Sequence, residues 1–268
     1  MGCRSWLNVI ASALRVSYRL TVPDDLFTLP RLARVYDEFD GARDDLDHHH
    51  AIIDELSSVL DIGCGTGMFA CQLAHRAIAV AGLDPAAASL DIARSKPDAE
   101  RVRWIHAEAT AIPEMSTDVA TMTGNVAQVF LDDAEWSLVL ASVRKSLRPS
   151  GFVVFEAREP SARAWEGWTK EATFCVHDTL GEGRVEHWTE ITQVALPLVS
   201  FRHHYVFERD RTRLTSHSTL RFQSRSEIAR TLAANGFEVV AVRDAPDRPG
   251  LENVFIAQSI ASRSVNYD

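Results

Sequence analysis

Three glycines at every second position follow a short apolar run that contains an acid. The run covers residues 59–62 and includes Asp61, and Gly63, Gly65 and Gly67 follow it directly before a helix-like segment. Such a run predicts a buried strand of a parallel sheet. Glycine is needed where the backbone turns sharply or where a ligand lies against bare main chain. A strand, a glycine loop and a helix in this order predict a site for a nucleotide-like ligand.

The glycine spacing narrows the class of ligand. The dinucleotide fingerprint is G-x-G-x-x-G, and the nucleoside triphosphate loop is G-x-x-x-x-G-K-[ST]. The pattern here is D-x-G-x-G-x-G, which matches neither. The spacing therefore argues against a phosphate-binding loop, with a purely structural turn or a divergent dinucleotide site as the alternatives.

The pattern from Asp61 to Gly67 resembles the first motif of class I S-adenosylmethionine-dependent methyltransferases. The resemblance implies that S-adenosyl-L-methionine is the cofactor and S-adenosyl-L-homocysteine the product. It assigns the following loop residues to cofactor binding: Asp61, Gly63, Cys64, Gly65, Thr66 and Gly67.

Further cofactor contacts are implied at the ends of the next predicted strands. Asp84 ends the second strand, where a carboxylate can accept hydrogen bonds from both ribose hydroxyls. The family uses this position in that way, and Pro85 follows it. After the third strand, the resemblance assigns Glu108 to the adenine amino group, although the family more often has aspartate there, and Ala109 lies beside it. The exit of the fourth strand is expected under the methyl group, which adds Thr123, Gly124 and Asn125; a turn-capping role is the alternative for Asn125.

The proposed cofactor contacts can meet only if a sheet brings the ends of these strands to one edge. We therefore expect the fold class to be α/β, with a Rossmann-like, seven-stranded, mostly parallel sheet flanked by helices and an inserted antiparallel β subdomain. The chain is divided as 1–25 (N-terminal extension), 26–55 (N-terminal helical lid), 56–160 (cofactor-binding core), 161–222 (β-rich insertion, the substrate cover) and 223–268 (core completion by the last helix and a β-hairpin).

The expected reaction is methyl transfer by in-line displacement to an oxygen or nitrogen atom of a small molecule. The protein must chiefly align the reactants and exclude water. A general base is needed only for a protonated acceptor, and the candidates for a catalytic role are Tyr36, His48 and His203, although a structural role is the alternative for each. Candidates for substrate binding are Gln128, Arg158, Trp165, His203 and Tyr205.

Adjacent histidines at His48, His49 and His50 raise the question of a metal. Neighbours on a helix point about 100° apart, so we expect them not to converge on one ion. The sequence therefore predicts no metal site.

The amino-acid composition and net charge limit the classes of partner that the chain is expected to bind. The chain has 268 residues, 46% of them hydrophobic, with a net charge of −9 and four cysteines. An acidic chain without a basic run argues against nucleic acid as a partner. The cysteines have no paired metal spacing, which favours a reduced protein. We expect a cytoplasmic bacterial enzyme with no membrane association and leave a homodimer open.

Three other function classes compete with this interpretation. The first is an RNA or protein methyltransferase, which would show an acceptor motif or a basic face. The second is a non-catalytic protein that binds S-adenosylmethionine. The third is an NAD-dependent oxidoreductase, which the glycine spacing disfavours.

Overall fold

A computed structural model describes residues 22–41, 43, 45–53, 56 and 58–260. The predicted extension over residues 1–25 thus lies almost entirely outside the described residues. No helix in the described ranges is long and apolar enough to cross a lipid bilayer.

The described residues form two sheets and short helices on an α/β plan. The strands are β1 (Ser58–Ile62), β2 (Ala79–Asp84), β3 (Val102–His106), β4 (Thr117–Met122), β5 (Leu147–Arg158), β6 (Cys175–Thr179), β7 (Gly183–Ala195), β8 (Leu198–Phe207), β9 (Thr212–Arg221), β10 (Phe237–Asp244) and β11 (Glu252–Ser259). The helices are α1 (Asp25–Thr28), α2 (Pro30–Asp40), α3 (Leu46–Ile53), α4 (Met68–His75), α5 (Ala87–Ala93), α6 (Asp133–Ser146), α7 (Lys170–Thr173) and α8 (Arg225–Ala234).

The larger sheet has seven strands in the order β10-β11-β5-β4-β1-β2-β3. Strands β5, β4, β1, β2 and β3 pair in parallel. Strand β11 pairs antiparallel with both β5 and β10. A short connection joins β10 to β11, and such a hairpin can join only antiparallel neighbours. The predicted fold class is confirmed.

The sheet is covered on both faces, which explains the nearly continuous apolar runs of its strands. One hydrophobic cluster joins strand residues such as Leu60 and Phe155 to Trp136 of α6 and Leu232 of α8. A second cluster packs Phe69 and Leu73 of α4 against the opposite face. Because both faces are buried, a ligand can reach the sheet only at its edge, where the parallel strands end.

The smaller sheet is the predicted insertion. Its order is β6-β7-β8-β9, and every pair is antiparallel. It packs on the N-terminal helices, where Leu32 and Val35 of α2 contact Val185 and Phe207. The N-terminal helices and the insertion therefore cover the carboxyl edge of the large sheet together.

Candidate active site

The glycine loop begins where β1 ends and turns under β2. The amides of Gly63 and Cys64 donate to the carbonyl of Leu83, at 2.8 and 3.1 Å. Gly65 has a φ of +52°, in the left-handed region, and a Cβ built there would meet no atom within 4 Å. A Cβ at Gly67 would instead lie 2.5 Å from the Trp104 ring. Gly67 thus allows close packing inside the protein, whereas Gly65 presents bare backbone to open space.

Asp84 holds this loop in place. One carboxylate oxygen accepts the amide of Gly65 at 2.8 Å, and the other accepts the amide of Ala86 at 2.7 Å. Burial raises the pKa of Asp84 above its usual value. Each carboxylate oxygen has a second lone pair, so both can also accept a ligand hydroxyl.

A cavity of about 880 Å³, including its mouth, opens in front of Gly65 and Asp84. Its floor is apolar and comes from the ends of β1 and β2 and from the segment after β4. Its far end carries Glu108, whose pKa burial raises. The predicted cofactor residues that line this cofactor cavity are Gly63, Gly65, Asp84, Pro85, Glu108 and Ala109.

Other predicted cofactor residues lie behind the loop. Asp61 is 1% exposed and accepts a hydrogen bond from the hydroxyl of Thr121 at 3.2 Å, and burial raises its pKa to about 7. Thr66 donates to Asp37 of α2, and Lys96 binds both residues. The residues from the predicted set that do not line the cofactor cavity are Asp61, Cys64, Thr66, Gly67, Thr123, Gly124 and Asn125.

A second cavity, the acceptor chamber, adjoins the first and encloses about 1,380 Å³ including its mouth. Gly124 and Asn125 line it at the exit of β4, and α1, α2 and the inserted sheet form its other walls. Asp24, Phe27 and Val129 line both cavities. A ligand in the first cavity would therefore meet a second molecule at this shared wall.

His187, His203 and Tyr36 of the acceptor chamber are neutral at pH 7. Burial lowers the pKa of His187 to about 3 and that of His203 to about 4. Nδ1 of His203 lies 3.1 Å from Nε2 of His187 and 3.2 Å from the hydroxyl of Thr189. Burial also raises the pKa of Tyr36. These side chains can hydrogen-bond an acceptor but are poorly suited to take its proton at neutral pH.

Arg158 gives the acceptor chamber a guanidinium in a dry setting. Its Nε lies 3.9 Å from a carboxylate oxygen of Glu252, and its guanidinium lies 5.0 Å from the centre of the Trp168 ring. Burial lowers the pKa of Arg158 to about 10. The group is still charged at neutral pH and is available to a planar or anionic part of a ligand.

The structure separates the predicted catalytic and substrate residues into two groups. Tyr36, Arg158, His203 and Tyr205 line the acceptor chamber. Trp165 instead lies in the insertion's own core, with its ring 4.8 Å from that of Phe222.

The other two predicted residues outside the chamber make structural contacts. Gln128 is 2% exposed; its amide donates to the carbonyl of Arg221 at 2.9 Å, and its oxygen accepts the amide of Arg158 at 3.1 Å. His48 packs its ring 4.3 Å from that of His49, away from both cavities.

The histidine pair corrects one expectation. His48, His49 and Glu156 place possible ligand atoms within 4.8 Å of one another, although adjacent helix residues were expected to diverge. Neighbouring Cβ atoms of a helix point in different directions, but a ring nitrogen of each histidine lies within 4.8 Å of the same carboxylate. Glu156 accepts His49 Nε2 at 2.6 Å and the amide of Asn125 at 3.0 Å. The buried pair thus ties α3 to the exit of β4.

Sequence reasoning missed several residues of the acceptor chamber. Asp24 directly precedes α1 and Phe39 lies in α2, whereas Trp168, Cys175 and His187 come from the insertion. None belongs to a motif with fixed spacing. The available signal for Trp168 was its position three residues after Trp165, which did not show which ring faces outward.

Comparisons with known proteins agree with this geometry. Residues 59–151 match the model of a family described as a methyltransferase domain. A malonyl-[acyl-carrier protein] O-methyltransferase of Serratia marcescens is 27% identical over 150 residues, which cover 56% of this chain and 55% of that protein. The chain spans about half the length of the curated relatives it matches.

Two solved structures share the fold. The CcbJ methyltransferase from Streptomyces caelestis has a TM-score of 0.67 at 19% identity, covering 85% of this chain and 97% of that one. CalS10 with bound S-adenosylmethionine, an amino pentose methyltransferase from Micromonospora echinaspora, has a TM-score of 0.63 at 22% identity, covering 87% and 96%. The family match over residues 59–151 and the shared fold agree with the resemblance to class I S-adenosylmethionine-dependent methyltransferases seen in the glycine-loop motif.

Proposed function

We propose that this chain is an S-adenosylmethionine-dependent methyltransferase that acts on an oxygen or nitrogen atom of a small molecule. The observation that carries the proposal is the pair of adjoining cavities. One has the bare backbone of Gly65 and the carboxylate of Asp84, and the other combines aromatic rings with aspartate and arginine side chains.

The residues of the cofactor cavity fit the cofactor. The open space over Gly65 accepts a group that a Cβ would exclude. Asp84 supplies two acceptor oxygens at the position expected for a ribose, and Glu108 supplies one for an adenine amino group. The apolar floor suits a purine ring. The cofactor, when bound, supplies a methyl group on a sulfonium that is already a good leaving group.

The chain itself supplies alignment and a dry site. Residues 26–55 would act as the lid and residues 161–222 as the substrate cover. Alpha helix α2 is tied to the glycine loop through Asp37 and Thr66, and to the insertion through Arg31 and Glu182. Closing these parts over both cavities orients the acceptor and excludes water, which can be worth roughly 7–11 kcal/mol.

The size and character of the acceptor chamber support a small acceptor. Its walls carry Phe39, Trp168, Phe201 and Tyr205, which suit a ring-bearing molecule. The net charge of −9 disfavours a nucleic-acid acceptor. We therefore assign substrate binding to Tyr36, Arg158, His203 and Tyr205.

The test is transfer of radiolabelled methyl from S-adenosylmethionine into a panel of small amines and hydroxylated compounds. We expect labelled product with at least one class and none with the Gly65→Val variant. Stoichiometric cofactor binding with no transfer to any acceptor would favour a binding-only protein and contradict the proposal.

A further inference from the structure

Asp24 occupies the wall that the two cavities share. Its backbone carbonyl accepts the amides of Phe27 and Thr28 at 2.9 and 3.1 Å, and the hydroxyl of Ser218 donates to one carboxylate oxygen, Oδ2. The neighbouring amide of Leu26 donates to the hydroxyl oxygen of Ser216 at 2.8 Å. The segment is thus fixed to β9, and the carboxylate is held where an acceptor would meet the cofactor.

Burial raises the pKa of Asp24, and the charged groups that act on it have opposite effects: Asp25 raises the pKa and His217 lowers it. Within the described ranges, no lysine or arginine forms an ion pair with Asp24, and Oδ1 has no hydrogen-bond partner. The other two aspartates of the acceptor chamber, Asp40 and Asp45, both pair with Arg43. Asp24 therefore differs from them in having a carboxylate oxygen open to a ligand. A partly buried carboxylate without a cation is unfavourable, and a bound cation relieves that cost.

Aromatic rings line the same cavities as this carboxylate. Phe27 also lines both cavities, and its ring centre is 5.4 Å from that of Tyr36. The faces of such rings attract an ammonium group. The open carboxylate oxygen of Asp24, together with the rings of Phe27 and Tyr36, forms a suitable site for a protonated amine.

We propose that Asp24 binds the ammonium group of the acceptor and takes its proton, and that the acceptor is a small amine methylated on nitrogen. The inference rests on the proposed methyltransferase function. The N–H bond breaks with its electron pair left on nitrogen, and the proton moves to the carboxylate. The nitrogen lone pair then forms the N–C bond while the C–S bond breaks with its pair left on sulfur. The proton later leaves to solvent.

The chemistry of the chamber favours an amine over an alcohol. An alkylammonium has a pKa of about 10, whereas a hydroxyl group resembles water, with a pKa of about 16. A carboxylate can assist the first deprotonation but is far too weak a base for the second. His187 and His203 line the acceptor chamber but not the wall that it shares with the cofactor cavity. The carboxylate of Asp24 is thus the acidic group at the shared wall that can receive the proton.

The test uses binding, so it needs no knowledge of the natural acceptor. Benzylamine and benzyl alcohol have the same shape and differ in charge. We expect benzylamine to bind the complex of the wild-type chain with S-adenosylhomocysteine at least tenfold more tightly than benzyl alcohol does, measured by calorimetry. Asp24→Asn should reduce this preference below threefold, and Asp24→Glu should restore part of it. Asp25→Asn is the matched control, because Asp25 is the exposed neighbour and lines neither cavity.

Several results would overturn the inference. One is equal affinity of the two probes for the wild-type complex, which decides the matter even if Asp24→Asn does not fold. Another is an unchanged preference in Asp24→Asn. A third is a loss of affinity for S-adenosylmethionine but not for S-adenosylhomocysteine in Asp24→Asn, which would make Asp24 the partner of the sulfonium. If the wild-type chain binds neither sulfur ligand, the proposed function itself fails, which is a separate outcome.

Discussion

The cofactor cavity and the acceptor chamber differ in how they are built. The cofactor cavity comes mainly from consecutive strand ends of one sheet, each contributing a residue at a fixed place in the chain. The acceptor chamber comes from the N-terminal helices, the exit of β4 and all four strands of the insertion. The cofactor cavity follows from the order of strands in the large sheet, whereas the acceptor chamber depends on how separate segments of the chain pack together. Cofactor and acceptor binding should therefore respond differently to mutation.

The largest effect is expected at Gly65. Gly65→Val places a branched side chain in the open space of the cofactor cavity and at a φ of +52°. We expect affinity for S-adenosylhomocysteine to fall at least a thousandfold, about 4 kcal/mol, in a calorimetric titration. The matched control is Gly181→Val, which has a φ of +90° and open space around it but lies in a turn of the insertion. Similar affinity for the two variants would show that Gly65 does not face the cofactor.

The two tryptophans of the insertion separate packing from binding. Trp165 is 4% exposed within a hydrophobic cluster, whereas Trp168 is half-buried at the chamber wall. Trp165→Ala should lower the free energy of unfolding by roughly 3–5 kcal/mol, and Trp168→Ala by less. Urea denaturation of both variants measures this. The reverse order would mean that the insertion's core is assigned wrongly.

A substitution at Asp84 tests whether the strand ends that line the cofactor cavity bind the ligand. Asp84→Ala removes two carboxylate acceptors and releases the amide of Gly65, so affinity for S-adenosylhomocysteine should fall by roughly 2–4 kcal/mol. Asp91→Ala, on the exposed side of α5, should leave the affinity unchanged. Unaltered binding by a folded Asp84→Ala protein would exclude the ribose assignment.

Asp61 should give the smallest effect, as a dependence of stability on pH. Burial raises its pKa from 3.8 to about 7, so between these values the folded chain holds a proton that the unfolded chain has released. The contribution of Asp61 to stability therefore decreases as pH rises, by up to about 1.4 kcal/mol per pH unit. Asp61→Asn should remove this part of the slope in denaturation experiments between pH 5 and pH 8. Parallel curves for variant and wild type would show that Asp61 is ionised when folded.

The same difference explains what the sequence could predict. The fold class and the positions of Gly65 and Asp84 at the cofactor cavity follow from local patterns, because a strand end fixes which side chain reaches the sheet edge. Asp61 and Thr66 belong to the same motif, yet they lie behind the loop, where Asp61 bonds to Thr121 of β4 and Thr66 bonds to Asp37 of α2. Motif membership alone does not tell a ligand contact from a supporting contact.

The acceptor chamber could be predicted only in part. The insertion and its antiparallel strands were evident from alternation, and Tyr36, Arg158, His203 and Tyr205 do line the chamber. Trp165 and Trp168 could not be distinguished, because their exposure depends on strands β8 and β9 far along the chain. Asp24 acquires its position from Ser218, which is 194 residues away. Such contacts depend on packing between segments and leave no local pattern.

The most direct test of the central claim is a calorimetric titration of the purified chain with S-adenosylhomocysteine, with NAD as the control ligand. The account predicts one site of micromolar affinity for S-adenosylhomocysteine and no measurable heat with NAD. Binding of NAD in its place, or a folded protein that binds neither ligand, would contradict the assignment of the Gly65 and Asp84 cavity to S-adenosylmethionine.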